Sequence, residues 1–299
     1  MKHAYLILAH NEYPVLNVLL SMLDNERNDV FLHIDARNDE LYKLIESYQM
    51  KKAGFYLLKN RIKVYWGHSN QIRAELALLE EAFNNEQYDY YHFLSGVDLP
   101  IKNQDTINQF FETKCDRIFV GFWLNEFSDW DIKRKVGRYH IFLRFKRMKK
   151  HICHPITSFL NNLCLSIQDI IHFRRNFSYY EPKKGFFWCS LPNDFVSYML
   201  QRKKEIIQRY KYTLCGDEIY IHTLLWNSPF RERIYNINNP ELGSLRKIDF
   251  SRGNNHGNPY IWSISDLDEL ISSDLLFARK FSSQDMLIVK KIQSLYIRT

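Results

Sequence analysis

The first hundred residues alternate between short apolar runs and longer segments in which apolar residues recur at helical spacing. Residues 5–9, 30–34 and 90–94 form nearly continuous apolar runs, as in strands buried on both faces of a sheet. A further short strand is predicted over residues 62–65. Repeated β-α-β units place neighbouring strands parallel through right-handed crossovers. The pattern therefore predicts an α/β fold with a mostly parallel central sheet flanked by helices.

Helices are predicted between these strands and again towards the end of the chain. An apolar stripe that follows Pro14 predicts the first helix. Residues 125–184 are predicted to be irregular, apart from a helix over residues 158–172. Later helices are expected to begin at Asp217 and to run over residues 283–295.

Composition predicts one compact unit. The chain has 299 residues, of which 45% are apolar, so a core of ordinary size can form without disulfides. Its five cysteines show no CxxC spacing, which argues against a structural zinc site or a disulfide framework. The apolar run at residues 4–9 is too short for a signal peptide or a membrane span. These features lead us to expect a cytoplasmic protein.

Polar residues follow three of the predicted strands. His10 follows the first strand, Asp35 the second and Asp98 the strand that ends near residue 94. The carboxyl ends of parallel strands meet at one edge of a sheet, where nucleotides commonly bind. Each residue alone could equally well be a turn former or a helix cap.

The acidic residues argue against a metal site at this edge. Residues 95–98 (SGVD) contain a single carboxylate, whereas a hard cation needs several oxygen ligands. The pair Asp129 and Asp131 is a less favoured candidate, because it falls in the irregular region. Without a metal, cationic side chains would have to stabilise an anionic leaving group. The candidates, which could also be solvated surface cations, are Arg246, Arg252, His256, Arg279 and Lys280.

Two neighbouring acids, Asp217 and Glu218, open a predicted helix. The helix dipole alone favours acids there. A functional interpretation is that one of them acts as a general base, with a pKa raised by burial. The other would then cap the helix or support its neighbour.

Six motifs, in order along nearly the whole chain, together resemble the core-2/I-branching N-acetylglucosaminyltransferase family (glycosyltransferase family 14). They are AYLILAH (4–10) with FLHID (31–35), VYWGHS (64–69), FLSGVDLPI (93–101), GFFWCSL (185–191), GDE (216–218) and LFARKF (276–281). The resemblance implies a GT-A fold without an Asp-x-Asp motif, a metal-independent reaction and inversion at the anomeric carbon. It implies no cofactor other than the UDP-sugar donor.

The resemblance also implies residue roles. Glu218 matches the catalytic base and Lys280 a residue that contacts the diphosphate. His10 and Asp35 match the region that holds uridine. The other implied roles are donor contacts by Asp98, donor-sugar or acceptor contacts by Trp188, support by Asp217, and a second diphosphate cation at Arg246 or Arg252.

These implications predict a single transferase domain over residues 1–299, with a nucleotide-sugar-binding half at 1–124 and an acceptor-binding, catalytic half at 125–299. We expect transfer of N-acetylglucosamine to an oligosaccharide hydroxyl in surface polysaccharide biosynthesis. UDP-xylose, UDP-galactose and UDP-glucuronic acid are alternative donors. A non-catalytic carbohydrate- or nucleotide-binding protein is the alternative from another class.

A basic segment suggests a further partner. Between residues 133 and 150 the chain carries nine cations and no acid, within a chain of net charge +7. They are Lys133, Arg134, Lys135, Arg138, Arg144, Lys146, Arg147, Lys149 and Lys150. Such a cluster can bind anionic lipid, although a merely solvated face is an equal alternative. We therefore expect peripheral contact with the inner face of the plasma membrane, a lipid-linked acceptor and no nucleic acid.

Overall fold

The computed structural model describes residues 1–145, 154–177, 180–254 and 257–296. Its strands are β1 (His3–Ala9), β2 (Asn28–Ile34), β3 (Gly54–Leu57), β4 (Tyr90–Ser95), β5 (Asp98–Pro100), β6 (Phe119–Phe122), β7 (Gly185–Pro192), β8 (Arg246–Ile248) and β9 (Phe277–Arg279). The first helices are α1 (Tyr13–Leu23), α2 (Asp39–Glu46), α3 (Asn70–Asn85), α4 (Gln104–Thr113), α5 (Glu126–Val136) and α6 (His154–Ile170). The later ones are α7 (Asn193–Gln201), α8 (Lys203–Tyr210), α9 (Tyr220–Trp226), α10 (Pro240–Ser244), α11 (Leu267–Ser272) and α12 (Met286–Tyr296).

The central sheet has six strands in the order β3-β2-β1-β4-β7-β6. The first four are parallel to one another, whereas β7 runs antiparallel to both β4 and β6. Strand β2 is buried along its whole length, as expected for a strand covered on both faces. The predicted α/β architecture with a mostly parallel sheet is confirmed.

Helices cover both faces of this sheet. Alternate residues of β1 enter two different cores: Tyr5 and Ile7 pack with α1, α4 and α12, whereas Ala4 and Leu6 pack with α3, α7 and α9. Strand β7, from the second half of the sequence, lies between β4 and β6 of the first half. The two predicted halves therefore share one sheet.

A small second sheet, in the order β5-β9-β8, joins the end of the chain to the end of β4. Strand β9 pairs antiparallel with β5, so that Arg279 lies opposite Asp98. Because β5 follows directly after β4, this pairing brings Arg279 and Lys280 to the carboxyl edge of the main sheet.

Some predicted elements are wrong. Residues 62–65 form no strand, and β3 occupies the sheet edge instead. The Ile62 N–H donates to the His33 ring and the Ile62 carbonyl accepts from Ala36, so this backbone is satisfied by loop contacts. Helix α6 begins at His154, four residues before its predicted start. A 3-10 turn over Gly216–Glu218 replaces the predicted helix start at Asp217.

In the part of the chain that the structure describes, no helix has both the length and the apolar character needed to cross a membrane.

Replacing Leu32 of β2 by Ala should destabilise the fold. Leu32 is fully buried, and deletion of a buried leucine side chain costs about 2–5 kcal/mol. Leu44→Ala is the control, since Leu44 of α2 is 54% exposed, and it should change stability by no more than about 0.5 kcal/mol. Urea unfolding of both variants measures the difference, and equal losses would contradict the described sheet.

Candidate active site

The turn after β4 is built around Asp98. One carboxylate oxygen accepts the Ser95 N–H at 2.7 Å, and the other accepts the Ser95 hydroxyl at 2.7 Å and lies 3.3 Å from Arg279. Burial raises the pKa of Asp98, while Arg279 and Ser95 oppose the rise. Because both oxygens are used and the residue is buried, Asp98 does not present the free carboxylate expected for donor binding. It positions Arg279 instead.

Arg279 stacks on Trp188 of β7. The centre of its guanidinium lies 3.5 Å from the indole ring centroid. Burial lowers the pKa of Arg279, and Asp98 partly restores it. The indole N–H of Trp188 is buried and has no hydrogen-bond partner among the described residues. The substrate-binding role of Trp188 stays a prediction.

Lys280, next to Arg279, is half-buried, and its ammonium group has no hydrogen bond or ion pair in the described part of the chain. Burial lowers the pKa of Lys280, the charge of Arg279 lowers it further, and Glu12 acts in the opposite direction. Glu12 itself accepts the Ser283 N–H at 2.6 Å. Lys280 is thus a cation available to an anionic ligand.

The structure brings His10 and Asp35 to the same place. His10 is exposed at the edge of the sheet, and desolvation by the surrounding protein lowers its pKa. Asp35 raises the pKa of His10, whereas the charges of Lys280, Arg37 and Arg279 lower it. The predicted strand-end residues and Lys280 are therefore neighbours.

Sequence reasoning missed the partner of Asp35. Asp35 is buried and pairs with Arg37, whose Nη2 lies 2.5 Å from Oδ2 and whose Nε lies 3.1 Å from both oxygens. Arg37 also lies over the Tyr65 ring at 5.0 Å. A cation two residues after a strand-end acid is the signal that could have revealed this pair.

Glu218 belongs to a cluster of ion pairs that sequence reasoning also missed. Its Oε2 lies 2.9 Å from the Lys135 ammonium group and 3.4 Å from that of Lys184. Both lysines also contact Asp131, at 2.8 and 2.7 Å. Glu218 is 31% exposed, whereas the other three side chains are buried. No partner of Oε1 is found among the described residues, so this oxygen is available to a ligand.

Asp131 is therefore a poor metal ligand. Burial alone would raise its pKa, but hydrogen bonds from Arg134, Lys135 and Lys184 lower it below the usual range. Three cations already occupy the carboxylate, and Asp129 is exposed on another side of α5. The described residues contain no group of three or more His, Cys, Asp and Glu side chains that could hold a metal ion.

The raised pKa expected of a base falls on Asp217. Burial raises the pKa of Asp217 to about 7, the charge of Glu218 adds to the rise, and Lys135 and Lys184 oppose it. The predicted cap role of Asp217 is wrong, because neither the 3-10 turn nor α9 has a side-chain cap. Glu75 of α3 is fully buried and lies near Asp217. Burial raises the pKa of Glu75, and the charge of Asp217 raises it further.

Arg246 does not fit the predicted diphosphate role. Its side chain is fully buried and donates to the Ser190 hydroxyl at 2.9 Å and the Cys189 carbonyl at 2.8 Å. Burial lowers the pKa of Arg246 to about 10. This arginine joins β7 to β8 inside the protein and is not available to a ligand.

Arg252 also differs from its predicted role. Its guanidinium pairs with three carboxylates, those of Asp249, Asp266 and Glu269, and lies 4.3 Å from the Tyr260 ring centroid. Its charge is balanced by these partners, so that of the predicted cations that the structure describes, Lys280 is the one without a partner. His256 lies outside the described residues.

The basic segment is not one free surface patch. Lys135 is buried in the Glu218 cluster, Arg134 pairs with Asp131, and Arg138 pairs with Asp169 at 3.0 Å. Lys133 and Arg144 are exposed. The remaining predicted members, which lie outside the described residues, are Lys146, Arg147, Lys149 and Lys150.

Asp217→Asn should stabilise the protein at high pH. With a raised pKa, folded Asp217 holds a proton that an exposed aspartate releases near pH 3.9, so the wild type loses stability as pH rises from about 4 to 7. Asparagine removes that loss. The free energy of unfolding of the variant, relative to that of wild type, should therefore rise by on the order of 2 kcal/mol between pH 5 and pH 8. Urea unfolding at both pH values, with exposed Asp268→Asn as control, measures this. A gain that does not change with pH would contradict the raised pKa of Asp217.

The chain is similar in sequence to known proteins. The model of the family described as Core-2/I-Branching enzyme matches residues 3–272. Xylosyltransferase oxt of Drosophila pseudoobscura pseudoobscura is 24% identical over 70% of this chain and 22% of its own length. Xylosyltransferase 2 of Rattus norvegicus is 22% identical over 94% of this chain and 32% of its own length. The chain thus spans a third or less of these relatives.

Solved structures are more distant. Mouse Xyloside xylosyltransferase 1 in its apo form has a TM-score of 0.31 and 10% identity over 75% of this chain and 81% of that one. TarS of S. aureus has a TM-score of 0.30 and 12% identity over 40% of this chain and 21% of that one. The family match over residues 3–272 identifies the chain as a member of the Core-2/I-branching enzyme family.

Proposed function

We propose that this transferase moves N-acetylglucosamine from a UDP-sugar to a hydroxyl of an oligosaccharide acceptor, with inversion and without a metal. One observation carries the proposal. Side chains on one face of β7, together with Lys184 just before the strand, link Glu218 to Arg279 and its neighbour Lys280. Along the strand Lys184, Phe186 and Trp188 alternate with Phe187 and Cys189, which are members of the core beside α3, α7 and α9.

The donor would lie along this face. Lys184 contacts Glu218 and Trp188 stacks on Arg279, and the two residues are about 13 Å apart along an extended strand. In this proposal the sugar ring lies between the carboxylate and the cations. Lys280 would stabilise the negative charge that develops on the leaving diphosphate. A preorganised cation stabilises such charge strongly in a site with little water.

Glu218 would act as the general base. Its Oε2 is held by two ammonium groups, so Oε1 has a defined direction. Oε1 takes the proton of the acceptor hydroxyl while the hydroxyl oxygen bonds to the anomeric carbon. The bond from that carbon to the diphosphate breaks on the opposite side, and UDP leaves with the electron pair. Because Asp217 has the raised pKa, it is the alternative base and must be tested beside Glu218.

An aromatic wall supports a sugar acceptor. Trp123 meets Phe186 at 5.1 Å and Phe250 at 6.0 Å between ring centroids. The Lys184 ammonium group lies 4.6 Å from the Trp123 centroid and also contacts Glu218, so the wall and the carboxylate are adjacent. Flat aromatic faces of this kind are suited to the apolar faces of sugar rings.

The names of the relatives support an alternative donor, because they are xylosyltransferases. UDP-xylose is therefore the competing proposal, and UDP-galactose and UDP-glucuronic acid remain alternatives. A role in surface polysaccharide biosynthesis at the cytoplasmic side of the membrane is part of the proposal. UDP released from each UDP-sugar in turn distinguishes the donors, and no release from any of them would favour a non-catalytic binding protein.

Glu218→Gln should stop transfer without stopping donor binding. The amide keeps the size of the side chain but cannot take a proton, so the transfer rate should fall by roughly two to four orders of magnitude. UDP affinity, measured by calorimetry, should stay close to that of wild type. Asp217→Asn is the matched control and should keep more activity. A dead Asp217→Asn beside an active Glu218→Gln would assign the base to Asp217.

A further inference from the structure

Helix α6 is amphipathic, but its apolar side is turned away from the protein. The exposed residues include an aliphatic and aromatic stripe at helical spacing. Its members are Ile156, Phe159, Leu160, Leu163, Ile167 and Ile170. By contrast, the residues of α6 that are buried or half-buried are mostly polar, namely Thr157, Asn161, Cys164, Leu165, Gln168 and Asp169.

Polar contacts hold the inner side of α6 in place. The Gln168 amide accepts the Tyr139 N–H at 2.8 Å and donates to the Tyr139 carbonyl at 3.1 Å. Asp169 pairs with Arg138 and with Arg174, each at 3.0 Å. These contacts fix the rotation of the helix about its axis, so the apolar stripe is presented outwards by specific interactions.

The exposed apolar side is large for a protein surface. Phe159 is 65% exposed and Ile170 is 75% exposed. The stripe continues beyond the helix into Ile171 and Phe173, which are 63% and 47% exposed. A contiguous apolar surface of this kind marks an interaction site.

Charge indicates the partner. The sequence from residue 133 to residue 175 contains eleven Lys or Arg and one acid, Asp169. The whole chain has a net charge of +7, so the remaining residues are slightly acidic. Among the described cations, Lys135 is buried beside Glu218, and Arg134, Arg138 and Arg174 pair with acids, whereas Lys133 and Arg144 are exposed. The sequence of this segment still carries an excess of positive charge beside the apolar stripe, which suits a partner that is both anionic and apolar.

We infer that α6 docks on an anionic lipid surface, with its apolar stripe between the headgroups and the acyl chains. Interfacial helices combine such a stripe with nearby cations. Each cation close to the surface adds electrostatic attraction that salt weakens. A second copy of the chain fits less well, because two such segments repel each other. The inference does not depend on the proposed reaction.

Flotation with vesicles tests the docking. The full chain should float with phosphatidylglycerol–phosphatidylcholine vesicles at about 0.05 M salt and float far less at about 0.5 M. It should not float with pure phosphatidylcholine. The double variant Phe159→Ser, Leu163→Ser removes two exposed apolar side chains and should weaken vesicle binding about tenfold to a hundredfold.

Leu44→Ser, Leu287→Ser is the matched control. Both leucines are exposed, at 54% and 62%, and lie on α2 and α12. This variant should float as well as wild type. Equal flotation of the two double variants, or flotation that ignores lipid charge, would overturn the inference. So would a wild-type dimer in analytical ultracentrifugation that Phe159→Ser, Leu163→Ser converts to a monomer without any change in flotation.

Discussion

The contact between Asp98 and Arg279 is the interaction on which the site depends. It couples the turn after β4 to β9, two segments that are far apart in sequence. Asp98 is held by Ser95 and holds Arg279, and Arg279 packs on Trp188. Together with the pairing of β9 with β5, this chain of contacts places Lys280 beside the ends of β1 and β2. The small sheet thus determines where the last cation of the site lies.

A second set of ion pairs orients the acid. The two lysines are shared between Asp131, which is buried, and Glu218, which is partly exposed. A buried charge pair is costly unless every charge is satisfied. The buried Asp131 carboxylate balances the charges of Lys135 and Lys184. These two lysines in turn position Oε2 of Glu218. The site therefore has two groups of cations: Lys135 and Lys184 hold a carboxylate, whereas Arg279, on Trp188 of β7, precedes Lys280, which is available to a ligand.

Residues with local signals could be predicted from the sequence. His10, Asp35 and Lys280 follow buried strands, and the structure brings them together. The Glu218 cluster could not be predicted, because Lys135 lies 83 residues from Glu218 in sequence. Arg246 resembled a surface cation, since its partners are a hydroxyl and carbonyls of distant strands. Strand β3 was missed because a four-residue edge strand carries a weak pattern.

Transfer measured in excess EDTA tests most directly whether Lys280, rather than a metal ion, stabilises the leaving diphosphate. Wild-type activity should be unchanged by EDTA. Lys280→Ala should lower turnover by about two to three orders of magnitude, and added Mn²⁺ should not restore it. Loss of wild-type activity in EDTA with recovery in Mn²⁺, or a near-normal rate for Lys280→Ala, would contradict the assignment of this role to Lys280.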